Sequence, residues 1–187
     1  MHPMLNIAVR AARVAGSIIV RGFENRDDLV KQVKGANDYV TQIDKEAEMA
    51  IIHKIKQSYP EHSFLGEESG ETTGESTEFQ WVIDPLDGTT NFIKGIPHFA
   101  VSIALLHKGR LDQGVVFDPI RGELFTASRG QGAQLNGYRI RASKARDLSE
   151  TVLATGLPFK NKTQYADYAI RLNKIFHDCG DIRRAGS

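Results

Sequence analysis

Between Phe99 and Arg141 the sequence is punctuated by Lys108-Gly109, Asp118-Pro119, Arg121-Gly122 and Asn136-Gly137, with strand-like runs between them. Such pairs mark tight turns, and a tight turn joins antiparallel neighbours, because a parallel crossover needs about a dozen residues or more. This stretch therefore points to a largely antiparallel sheet, on which the rest must pack.

Upstream the periodicity is helical. From Pro3 to Gly22, Leu5, Ala8, Ala12, Ala15 and Ile19 share one stripe, with Pro3 suited to a first turn and Gly22 to a stop. Asp28 to Val33 reads as a short strand and Lys34 to Asp38 as a loop. A second helix is expected from Thr41 to before Pro60. Its apolar residues Ile43, Ala47, Ile51 and Ile55 sit four apart, and Thr41 with Asp44 resembles a capping box. Ser63-Phe64-Leu65 is strand-like, Gly70 to Glu78 is a polar loop, and Gln80 to Ile83 is a buried strand ending at Asp84-Pro85. Thr151 to Thr155 predicts another strand. Tyr165 to Cys179 predicts a helix stopped by Gly180, with Tyr165, Ala169, Leu172 and Phe176 buried and Cys179 in the core. Asp181 to Arg184 opens a last strand. The order helix, helix, strands, helix, strand predicts one α+β domain over 1–187, a layered sandwich with a largely antiparallel sheet.

Charge and composition narrow the function. The 24 basic and 23 acidic residues leave a net charge of +1, so bulk attraction to nucleic acid is not a driving force. Cys179 is the single cysteine, which rules out an intrachain disulfide and suits a reducing cytosol. Arg10 and Arg13 break up the N-terminal apolar residues, unlike a secretory leader, and no run approaches the roughly 20 apolar residues of a membrane span. A soluble cytoplasmic protein without membrane contact is expected. His2, His53, His62, His98, His107 and His177 show no zinc-type spacing and read as structural or surface residues.

The densest chemistry lies in Trp81-Val82-Ile83-Asp84-Pro85-Leu86-Asp87-Gly88-Thr89-Thr90-Asn91-Phe92. A hydrophobic strand delivers two carboxylates, Asp84 and Asp87, to its C-terminal end, with Pro85 fixing the turn between them. Hard cations such as Mg²⁺ want carboxylate oxygens and keep some waters. Gly88, Thr89 and Thr90 then open a helix, whose first N–H groups suit a phosphate. Gly66-Glu67-Glu68-Ser69 ends another strand and offers a further carboxylate. Asp44 stands near the start of the second helix, where plain dipole compensation is the competing use. Phosphatases of the haloacid dehalogenase type carry a nucleophilic Asp two residues before a second Asp. Pro85 occupies that position here, so a covalent aspartyl-phosphate is not expected.

These strings resemble the signature motifs of the inositol monophosphatase family. Asn37 to Asp44 is similar to its N-terminal motif and Arg129-Gly130-Gln131-Gly132-Ala133 to its hairpin, so the resemblance runs over essentially the whole chain. It implies a fold of the inositol monophosphatase and fructose-1,6-bisphosphatase type. It also implies hydrolysis of inositol monophosphate or another small phosphorylated polyol, Mg²⁺ as cofactor, lithium sensitivity and a homodimer. Carried over by residue, Glu67, Asp84, Asp87 and the Leu86 carbonyl match metal ligands. Glu67, Thr89 and Asp44 match catalytic residues, Thr89 and Asp44 being the pair that orients a water. Leu86, Asp87, Gly88 and Thr89 match the substrate side, with Arg183 on the strand that faces it and Lys34 in a nearby loop. Resemblance to a bacterial branch of the family further implies contact with Nus factors and RNA polymerase in ribosomal RNA antitermination, a binding role that need not use the phosphatase site. The family's C-terminal Trp-Asp motif has no counterpart, since Trp81 is the only tryptophan. The expectation is a chain carrying the N-terminal part of the family pattern, with a second metal position short of one ligand.

Overall fold

In the computed structural model, which describes residues 2–25, 31–35, 38–159 and 161–186, the strands between Phe99 and Arg141 form an antiparallel meander within one eight-stranded sheet. The chain opens with α1 (Pro3–Glu24), a two-stranded hairpin of β1 (Lys31–Gly35) and β2 (Asp38–Thr41), and α2 (Gln42–Lys56). Then come β3 (Ser63–Gly66), β4 (Gly70–Thr72), β5 (Phe79–Asp87) and the short α3 (Thr89–Ile93). The meander follows as β6 (Ala100–His107), β7 (Arg110–Asp118), β8 (Glu123–Ser128), β9 (Gly132–Leu135) and β10 (Tyr138–Ile140). The chain closes with β11 (Val152–Ala154), α4 (Tyr165–Phe176) and β12 (Asp181–Arg183).

Eight strands form one sheet in the order β10-β9-β8-β7-β6-β5-β3-β4. Every neighbouring pair is antiparallel except β3 and β5, which run parallel. Two of the turns expected from sequence have positive φ at both central residues: Lys108 and Gly109 at 51° and 73°, Asn136 and Gly137 at 50° and 84°. That geometry matches the right-handed twist of paired strands, which explains how four letters locate two hairpins. β11 and β12 form a separate parallel pair.

One face of the sheet is covered by α1 and α2. Alternate residues of the central strands point into that layer: Trp81 and Ile83 from β5, Val101, Ile103 and Leu105 from β6, and Val115 and Phe117 from β7. Ala8, Ala11, Ala12 and Ala15 let α1 lie close to them, and Ala47, Ile51 and Ile55 do the same for α2. Burying each large apolar side chain contributes roughly 1.5–3 kcal/mol. Among the described residues α1 alone is long and apolar enough to cross a bilayer by length and composition, with a mean hydropathy of 1.3. Its apolar stripe packs into this core instead.

Several local expectations need correcting. Gly22 does not stop α1, which continues to Glu24 with Asn25 as its C-cap. Gly22 is there for closeness: a β-carbon on it would lie 2.7 Å from the Ile43 side chain of α2. Lys34 and Asp38 belong to strands rather than to a loop. Thr41 ends β2 and α2 begins at Gln42; the Thr41 and Lys34 side chains lie outside the described residues. The polar segment after Ser69 contains β4, and β5 runs on through Asp84 and Pro85 to Asp87. α4 ends at Phe176, leaving half-buried Cys179 beyond it, and none of its residues is buried: Tyr165 and Phe176 are 55% and 56% exposed. Periodicity establishes that a helix is amphipathic, but not which element covers its apolar stripe.

Candidate active site

Asp84 and Asp87 are three residues apart in β5. In a regular strand successive side chains alternate, so two residues three apart face opposite sides. Here Asp84 pairs with Ser102 and Asp87 with Ala100, so three steps on β5 match two on β6. The extra residue is a β-bulge, and it returns Asp87 to the face that carries Asp84. Pro85 is tolerated in this interior strand because the ladder is interrupted at that point. The Asp84 carboxylate accepts the Leu86 N–H through Oδ1 at 3.2 Å, which braces the bulge from within.

Glu67 reaches the same place from the neighbouring strand. Gly66 pairs in parallel with Ile83, and the Glu67 N–H donates to the Ile83 carbonyl at 3.1 Å, extending the ladder one residue past β3. Glu67 therefore stands beside Asp84, and their side chains are hydrogen-bonded. Burial, then the Glu67 charge, then the Asp87 charge push the Asp84 carboxyl up to about 8. At neutral pH the Asp84 carboxyl therefore holds a proton where a bound cation could stand instead.

After Asp87 the chain turns sharply. Gly88 sits at φ 98° and ψ 32°, a left-handed conformation that a side chain disfavours, and it launches α3. Thr89 is the first residue of that helix. Its Oγ1 is 3.1 Å from Asp44 Oδ1 and 3.1 Å from the Leu86 carbonyl oxygen, and its single proton serves one of them at a time. Asp44 is only 2% exposed, so the residue read as a helix-start acid is buried against the β5–α3 turn.

The structure thus brings Glu67, Asp84, Asp87, Leu86, Gly88, Thr89 and Asp44 into one corner of the molecule. Arg183 is engaged elsewhere: it lies exposed in β12, paired with Asp181 at 2.5 Å and donating to the Ile182 carbonyl. Sequence reasoning missed Glu48. This acid on α2 is 2% exposed and accepts the backbone N–H groups of Glu68 and Ser69 at 2.9 and 2.8 Å. Its signal was available, since Glu48 follows Asp44 by one helical turn on the apolar stripe, where a charge needs a partner.

The donor set suits a hard cation. Among the described residues no three His, Cys, Asp or Glu side chains are already drawn into a closed cage. Three carboxylates and a carbonyl are nevertheless grouped here, all of them oxygen donors. Mg²⁺ is commonly held by one or two carboxylates plus waters and substrate phosphate, so a partly open set fits it. The Leu86 carbonyl keeps a second lone pair when the Thr89 hydroxyl donates to it.

Comparison with known proteins gives the same direction. The model of the inositol monophosphatase family matches residues 1–187. Nus factor SuhB of Escherichia coli (strain K12) is 60% identical over 187 residues, covering 100% of this chain and 70% of that protein. Nus factor SuhB of Vibrio cholerae serotype O1 is 54% identical, with the same coverage of 100% and 70%. Among solved structures, the extragenic suppressor protein SuhB from Bartonella henselae superposes with a TM-score of 0.95 at 42% identity, over 100% of this chain and 71% of that one. The inositol monophosphatase from Anabaena (Nostoc) sp. PCC 7120 gives a TM-score of 0.79 at 34% identity, over 98% and 66%. With its sheet order, its acidic bulge and these likenesses taken together, this chain belongs to the inositol monophosphatase family.

Proposed function

We propose that this protein hydrolyses inositol monophosphate or a related small polyol phosphate with Mg²⁺ as cofactor. The observation that carries the reading is the bulge in β5, which sets Asp84 and Asp87 on one face with Glu67 alongside and the Thr89–Asp44 pair adjacent. Glu67, Asp84, Asp87 and the Leu86 carbonyl would hold the cation. When bound, a divalent cation there supplies Lewis-acid neutralisation of phosphate charge and makes water a stronger acid.

The remaining work falls to the chain itself. The N–H groups of Gly88 and Thr89, at the opening of α3, have no earlier turn to bond and serve the phosphate oxygens. Thr89 Oγ1 accepts a proton from the attacking water as its own proton passes to Asp44 Oδ1, 3.1 Å away. The water oxygen bonds to phosphorus, the ester P–O bond breaks, and the leaving alkoxide takes a proton from solvent. One water is consumed, and phosphate and alcohol are released. Pro85 stands where phosphatases of the haloacid dehalogenase type carry their nucleophile, so water attacks phosphorus directly in this reading.

The test is phosphate release from inositol 1-phosphate with Mg²⁺ and with EDTA, in ¹⁸O-labelled water. The expected result is Mg²⁺-dependent turnover, label in the phosphate, no phosphorylated protein, and inhibition by Li⁺ that K⁺ does not reproduce. Metal-independent turnover or an acyl phosphate on Asp84 or Asp87 overturns the mechanism.

A second reading has its own support. Relatives at 54–60% identity are named Nus factors, so a transcription-complex contact is a parallel function for this fold. A variant without phosphatase activity that still binds a Nus factor or RNA polymerase separates the two roles.

A further inference from the structure

The geometry points to Glu48 as the positioning residue of this site, the side chain that presents Glu67 to Asp84. The inference rests on the proposed metal-dependent reading. Glu48 carries no role in the motifs, yet it is 2% exposed in a helix whose other core positions are mostly apolar. A buried carboxylate is costly unless its oxygens are satisfied. Here each oxygen takes one backbone donor: Oε2 accepts from Glu68 N–H at 2.9 Å and Oε1 from Ser69 N–H at 2.8 Å. Two consecutive peptide groups are thereby held immediately after Glu67. On its other side Glu67 is held by its own N–H to the Ile83 carbonyl at 3.1 Å. The residue is fixed from both directions, with its side chain directed to Asp84.

Gly66 completes the device. A β-carbon at this position would lie 2.5 Å from the Glu48 carboxyl carbon, so only glycine lets the carboxylate reach the turn. The same helix also reaches the other half of the site. Asp44 and Glu48 are four apart and share a face of α2. Asp44 bonds Thr89 in the β5–α3 turn, while Glu48 bonds the turn after β3. Four residues of helix, about 6 Å along the axis, therefore space the turn that bears Glu67 from the turn that bears Thr89.

Three variants of the full chain separate reach from charge. E48Q keeps the shape but places an NH₂ against one of the two N–H donors. E48D keeps the charge and shortens the reach by one methylene. G66A keeps Glu48 and pushes its carboxylate away. Backbone hydrogen exchange is followed by NMR without metal, Mg²⁺ binding by calorimetry, and phosphate release by steady-state kinetics. All three variants are expected to lose protection at Glu68 and Ser69 while Val101 and Ile103 in β6 keep theirs. Mg²⁺ affinity should fall about tenfold or more, with kcat reduced and KM for substrate little changed. Wild-type protection at Glu68 and Ser69 in E48D and G66A overturns the inference. So does a loosened turn with unchanged Mg²⁺ affinity. Should E48Q fail to fold, E48D and G66A carry the same two comparisons. If the unaltered protein binds no Mg²⁺, the metal-dependent reading fails, and the exchange data still decide whether Glu48 holds the turn.

Discussion

Replacing Asp84 with Asn tests the electrostatics of the site in the absence of any cation. The Asp84 carboxyl is raised from 3.8 to about 8, first by burial, then by Glu67 and Asp87. Between those values the native state holds a proton that the unfolded chain releases. Stability is therefore greatest at low pH and declines as pH rises through that window. At pH 7 the full linkage would amount to about 4 kcal/mol. Partial exposure of the site to solvent reduces the effective figure to roughly 1–2 kcal/mol. The substituted amide is nearly isosteric with the acid. Its oxygen can still accept the Leu86 N–H and its NH₂ can donate to Glu67, as the protonated carboxyl does. Metal-free Asp84→Asn should therefore be more stable than the unaltered protein by about 1–2 kcal/mol near pH 8 and nearly equal to it near pH 4.5. Added Mg²⁺ should stabilise the unaltered protein and not the variant. Urea unfolding in EDTA, read by the fluorescence of Trp81, measures this cleanly because that buried ring is the only tryptophan. A variant that is less stable near pH 8, or that keeps the unaltered pH slope, refutes the argument.

Three further outcomes are expected. Thr89→Val removes the hydroxyl beside Asp44; turnover should fall about 100-fold or more with little change in KM, and Thr89→Ser should recover most of it. His62 is buried, its Nδ1 accepts the Trp81 indole N–H at 3.0 Å, and burial holds its pKa below 6.5 despite Glu61. Stability should accordingly be full above pH 6.5 and decline as pH falls below it; His62→Phe should flatten this part of the urea-denaturation profile while costing about 1 kcal/mol for the stranded indole N–H. Gly22→Ala would gain about 0.5–1 kcal/mol of helix propensity, but its new methyl meets Ile43 at 2.7 Å. Overpacking of about 1–3 kcal/mol should win, so thermal denaturation should show a lower Tm, and a higher one would place the Ile43 contact wrongly.

How much of this could be read in advance depends on how far apart the interacting residues lie. The hairpins at Lys108-Gly109 and Asn136-Gly137 were legible because left-handed backbone is a property of one or two residues. The stripe of α2 and the antiparallel meander follow from equally local patterns, and so does the chemical content of the string from Asp84 to Thr89. Other features are set between distant residues. Gly22 looked like a helix stop, but Ile43 packs against it across the α1–α2 interface. Asp44 looked like an N-terminal charge, but its partner Thr89 is 45 residues away. Glu48 finds its partners 20 and 21 residues on, where no turn or helical spacing could announce them. The bulge that puts Asp84 and Asp87 on one face exists only as a mismatch between two paired strands. Local φ and ψ preferences are written in neighbouring letters. The approach of a helix to a loop is decided only when the sheet and both helices close around the same core, because that packing determines which buried donor meets which buried acceptor.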